Sequence, residues 1–138
     1  MASCSDIRNK LLKTGNVRML KLFHSWRDLA TKVKDLQDFA CCFIFHATNS
    51  EERNDFLEIK SDLHYFLISM NRNQPTLTSD EYPYILYIRF LHDRIALFMD
   101  KMLDLDKKYA NSSDNKIKSE LSIKLLSLRT KFYEEDSE

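Results

Sequence analysis

Glycine is nearly missing from this 138-residue chain: it occurs once, at Gly15, and proline twice, at Pro75 and Pro83. Tight hairpin turns need φ > 0 and lean on glycine, so many of them are excluded. The same scarcity excludes a P-loop, a dinucleotide-binding Gly-rich turn and a nucleophile elbow, since each needs several glycines. A Ser-His-Asp triad leaves no such trace because it assembles from distant positions, and nothing here points to one. The expectation is a protein that is not an enzyme and binds no cofactor.

Cysteine is also scarce. Cys4, Cys41 and Cys42 are odd in number, and two are adjacent inside an apolar run, which is not a disulfide framework. Residues 1–16 lack the apolar core of a secretory signal. The longest apolar run, Phe39 to Phe45, is far too short to span a bilayer. The expected setting is therefore a reducing intracellular one, cytoplasm or nucleus, with no membrane span. In that setting the sequon Asn111-Ser112-Ser113 is a chance match. Net charge is lacking too: 21 Lys+Arg balance 21 Asp+Glu, so no global field draws nucleic acid or membrane. The balance is uneven, however, with residues 1–48 at net +4 and residues 49–138 at net −4.

What is present is helical periodicity. Between Glu81 and Tyr109, the residues Tyr84, Ile88, Leu91, Ile95, Phe98, Met102, Leu105 and Tyr109 follow one another at alternating steps of four and three. Only an α-helix puts them on one stripe. Such a helix is about 40 Å long and can act as a spine. Pro83 fits only in its first turn, which favours Ser79 or Asp80 as the N-cap. A second long helix is expected from Val17 to His46, where Leu20, Phe23, Trp26, Ala30, Val33, Leu36, Ala40 and Phe43 keep helical spacing. Its Phe39–Phe45 end is expected to be buried on all sides, with Cys41 and Cys42 as small buried hydrophobes.

Shorter helices complete the reading. One is expected over Asp6–Lys13, capped by Ser5 and stopped by Gly15, and Asn16 then caps the next. Another starts at Asn49 or Ser50, carries Glu51 and Glu52 in its first turn and runs through Phe56, Ile59, Leu63, Phe66 and Met70. Residues 71–80 are the clearest loop, long enough to allow a crossover. The last helix spans Lys116–Phe132, with Ile117, Leu121, Leu125, Leu128 and Phe132 on one stripe, and residues 133–138 form an acidic frayed tail. The fold class is all-α: a bundle of about five helices in one domain, residues 1–132. Its two long helices, 17–46 and 81–109, are expected to pack antiparallel.

Chemistry-bearing groups are few. Cys42 and His46 share a helix face at i, i+4, and a metal site there would need His24 or His64 to complete it. Structural zinc wants four ligands in recognisable pairs, though, and only one pair is visible. No Glu-x-x-His motif of a di-iron bundle occurs, and His92 is given no role. Arg18, Lys21, Arg27 and Lys34 belong to a basic N-terminal region that could meet phosphates or an acidic partner. They alternate with core positions as a solvated face does, so nucleic acid is the lesser alternative. Aromatic density is the stronger signal. From Tyr82 to Leu91, eight of ten side chains are apolar, and one core covers a stripe of roughly 100°. Tyr82, Leu86, Tyr87 and Phe90 are therefore expected to be a partner interface, homo- or hetero-oligomeric. The functional expectation is a protein–protein interaction module, a subunit or adaptor of a larger complex. The alternatives are a helical regulator offering a groove to an amphipathic helix, or a nucleic-acid-binding protein. A secreted four-helix signalling bundle is disfavoured by the missing signal and the odd cysteines.

Overall fold

Helix-forming spacing carries through into four long helices: α1 Val17–Phe45, α2 Ser50–Arg72, α3 Glu81–Tyr109 and α4 Lys116–Asp136. The computed structural model describes Asp6 and residues 8–10, 17–76, 80–110 and 116–136. Asp6 and residues 8–10 are helical, in agreement with a short first helix; its Ser5, Ile7, Leu11, Leu12, Gly15 and Asn16 lie outside the described residues, as do Cys4, Ser79 and the Asn111 sequon. Among the described residues there is no strand, and the protein is an all-α helical bundle.

Local chemistry sets the helix ends. Asn49 caps α2: its backbone is extended and its side-chain oxygen accepts the Glu52 N–H at 2.8 Å. At the other end the Asn73 side-chain amide donates to the Ser69 carbonyl at 2.8 Å, covering an orphan acceptor of the last turn. Asp80 is the N-cap position of α3. Pro83 therefore stands third in the helix, where its missing N–H has no intrahelical acceptor to lose. Lys107 and Lys108 end α3 on the side of the helix dipole that favours cations.

The connection of residues 46–49 is too short for anything but a hairpin, so α1 and α2 are antiparallel. The reversal between α2 and α3 is equally clear, because Lys108 near the end of α3 reaches Glu51 and Asp55 near the start of α2. Two reversals leave α1 and α3 parallel, and Arg18 duly pairs with Glu81 at 3.8 Å, N-terminus beside N-terminus. The expectation of antiparallel long helices is corrected on this point. Short connections make consecutive helices antiparallel, and these two are separated by a third. α2 and α3, which flank the loop expected to allow a crossover, run antiparallel. α4 reverses again along α3, where His92 stacks on Phe132 and Arg129 binds Asp100.

One core joins all four helices. α1 contributes Trp26, Val33, Leu36, Ala40 and Phe43; α2 contributes Phe56, Leu63 and Met70; α3 contributes Leu91, Ile95, Met99 and Met102; α4 contributes Leu125 and Phe132. Phe43 and Phe56 stack with centroids 4.8 Å apart at the closed end of the α1–α2 hairpin. Each Val, Leu, Ile, Phe or Met among them, taken fully out of water, stabilises the fold by roughly 1.5–3 kcal/mol before entropy is counted. Met19 and Phe23 form a smaller cluster near the start of α1.

Two local expectations are overturned. The Phe39–Phe45 end of α1 is not buried all round: Ala40 and Phe43 are inside, while Cys41, Cys42 and Phe45 are exposed. The reason is tertiary. α4 leans on α3, and its packing on α1 is slight, so the outer side of α1 stays uncovered. The last helix also runs past Phe132 to Asp136 instead of fraying at 133. Tyr133 holds that extension by donating to Asp100 at 3.2 Å, with the Arg129 guanidinium 4.5 Å over its ring.

Candidate interaction surfaces

α3 is buried along its a/d stripe from Leu91 to Met102, and again at Tyr109. Its other side is apolar and open. Tyr82 is 71%, Leu86 48%, Phe90 54% and Leu97 50% exposed. At 100° per residue these four fall within one narrow stripe, with Asp93 among them. Tyr87 points elsewhere: it is half-buried against the core, edge-on to Tyr84 at 5.5 Å. Of the four residues picked out in the sequence, the structure brings three together and turns Tyr87 inward. Leu97 was missed, although its spacing from Phe90, two turns on, was legible. Tyr84 anchors the start of the helix by donating its hydroxyl to the Asn73 carbonyl. Burial, and then the neighbouring Tyr87, push its pKa well above the usual phenol range. Burial raises Tyr87 as well, and its hydroxyl is enclosed without a hydrogen-bond partner among the described residues.

Arg18, Lys21, Arg27 and Lys34 are all exposed. They do not converge. Arg18 and Lys21 lie on one flank of the buried stripe of α1, and Arg27 and Lys34 on the other, as helical geometry requires. Arg18 is engaged by Glu81. The metal candidates do not assemble either. His24 is about 27 Å down the same helix from Cys42, and His64 is about four turns up α2 from its start. Among the described residues no three His, Cys, Asp or Glu side chains are grouped to hold a metal.

A buried ion pair joins α2 to α4, and sequence reasoning missed it. Glu52 is 1% exposed and Lys118 8%. The Lys118 ammonium donates to both Glu52 oxygens at 2.7 Å. Glu52 Oε1 also accepts from the Thr48 backbone N–H and hydroxyl, each at 3.3 Å. The residue read as a helix-dipole acid is thus a capping group and the anchor of α4 on α2. Ile117, expected inside, is exposed, and Lys118 takes its place. The steps from 118 through 121, 125 and 128 to 132 alternate three and four without a break, which is the signal that could have found it. Beside this pair the Tyr109 hydroxyl donates to Asp55 at 2.6 Å, and that bond raises its pKa.

The slight packing of α4 on α1 leaves an open groove of about 610 Å³ between them. Phe39, Cys42, Leu121 and Leu128 supply apolar lining; Asp35 and Asp38 stand on the α1 wall, Lys124 and Lys131 on the α4 wall. Ile123 stands exposed at its edge.

No family model matches the chain, and no curated protein or solved structure matches it. Among the described residues no helix is long and apolar enough to cross a membrane.

Proposed function

We propose that the protein is a non-enzymatic interaction module, a subunit or adaptor of a larger intracellular assembly, which binds another protein chain through the exposed stripe of α3. The observation that carries this reading is the row Tyr82, Leu86, Phe90 and Leu97 on the outside of a helix whose opposite side is fully used by the core. Large aromatic side chains in contiguous exposed rows are characteristic of contact patches and are enriched among the residues that dominate binding energy. The two exposed free thiols, Cys41 and Cys42, fit a reducing compartment. Nucleic-acid binding has less support, because the basic residues of α1 are split between two flanks and none is buried beside a phosphate-sized site.

The test is a triple substitution, Tyr82→Ser, Leu86→Ser and Phe90→Ser. The expected outcome is an unchanged circular dichroism spectrum together with loss of the partner or of self-association, read by sedimentation and by co-purification from the native cell. Retention of the same complex by the folded triple variant would refute the reading.

A further inference from the structure

The groove between α1 and α4 is a second surface, independent of the α3 stripe. Its walls are mid-helix backbone, whose N–H and C=O groups are already paired within α1 and α4. An extended peptide would find no backbone partners there, so an occupant must satisfy its own backbone, as a helix does. The apolar strip of Phe39, Leu121 and Leu128 suits one face of such a helix. The lining runs from Leu121 to Lys131 on α4, about 15 Å, or three turns.

Charge selects the occupant further. Asp35 and Asp38 face the groove from α1, Lys124 and Lys131 from α4, and no ion pair joins the two walls among the described residues. The groove holds opposite charges apart on its two rims. A helix filling it meets an anionic rim on one flank and a cationic rim on the other. The α3 stripe of a second copy does not match, because its flanks carry Arg89 on one side and Arg94 and Lys101 on the other, which would set cations against Lys124 and Lys131. We propose that the α1–α4 groove receives a three-turn amphipathic helix of a partner protein, with cationic side chains along the flank that meets α1 and anionic side chains along the flank that meets α4.

The probe is a fluorescein-labelled synthetic helical peptide with a Leu/Phe face, Lys along one flank and Glu along the other. Its control has the same composition with Lys and Glu mixed on both flanks. Anisotropy titration against the full chain should give saturable binding of the split-charge peptide at least tenfold tighter than the control. Amide chemical-shift changes should centre on Phe39, Leu121 and Leu128. Asp35→Lys with Asp38→Lys should weaken the split-charge peptide about tenfold or more, a loss near 1.4 kcal/mol. A peptide with Glu on both flanks should then bind this charge-reversed variant best. Ser127→Trp, which fills the groove, should block binding while circular dichroism stays that of the native fold. The proposal is overturned if the two peptides bind equally, or if shifts centre on Tyr82, Leu86 and Phe90 instead. It is overturned equally if no saturable binding appears up to about 1 mM, the weak end of specific recognition.

Discussion

Removing the ammonium of Lys118 while keeping Glu52 should be among the most damaging single changes in the protein. The Glu52 carboxylate is 1% exposed and takes both of its short bonds from Lys118. In Lys118→Met it would stay buried, with only the 3.3 Å bonds from Thr48 and the dipole of α2 to stabilise its charge. Stranding a buried charge costs about 3–5 kcal/mol. Removing both charges in Glu52→Leu with Lys118→Met avoids that penalty; exchanges of this kind are often neutral or stabilising by about 1–4 kcal/mol. Against this stands the lost capping of Thr48, about 1 kcal/mol. The double variant should therefore sit within about 2 kcal/mol of the wild type and above Lys118→Met alone. Urea unfolding of the wild type, the two single variants and the double variant gives the coupling energy directly. At this chain length each kcal/mol moves Tm by roughly 4 °C, so Lys118→Met should fall by more than 10 °C. A loss below about 1 kcal/mol in Lys118→Met would refute the reasoning, since that is the range of a solvated surface pair.

Other consequences are simpler to check. Phe132 lies against His92 at 3.9 Å and is almost fully buried, so Phe132→Ala should cost about 3–5 kcal/mol by thermal or urea unfolding. By contrast, Tyr82→Ser, Leu86→Ser and Phe90→Ser should each change stability by no more than about 0.5 kcal/mol in the isolated chain, since each is exposed. Tyr84, Tyr87, Tyr109 and Tyr133 all hold their protons more tightly folded than unfolded. Their contribution is complete below the ordinary phenol pKa of about 10 and disappears as pH rises through the raised folded values, so stability should fall from about pH 10 upward. Tyrosinate absorbance should then rise together with loss of the helical dichroism signal; full ionisation at pH 10 with no loss of structure would contradict this.

The helices were legible because their apolar residues repeat at three and four, and because almost no glycine or proline interrupts them. The stripe of α3 from Leu91 to Met102 is buried as its spacing demands. What the sequence could not convey was tertiary. An apolar block such as Phe39–Phe45 shows what would favour burial, not which helix arrives to bury it; α4 arrives on α3, and Cys41, Cys42 and Phe45 are left outside. The relative direction of α1 and α3 depends on the number of reversals between them, not on either helix. Glu52 and Lys118 are 66 positions apart, and each alone reads as an ordinary surface charge. Within the α3 surface, helical spacing separated Tyr82, Leu86 and Phe90 from the core face correctly. It failed at Tyr87, which lies near enough to the core stripe to pack against it, and passed over Leu97.

Site-specific photo-crosslinking tests the interaction reading most directly. A photoreactive phenylalanine analogue in place of Phe90 keeps an aromatic ring at an exposed position, and the same residue in place of Glu58, exposed on α2, is the control. Irradiation in the native cell should give a discrete covalent adduct with one protein, identical or different, from position 90, with little or none from position 58. Equal or absent crosslinking at the two positions would mean that the exposed stripe of α3 is not a binding surface.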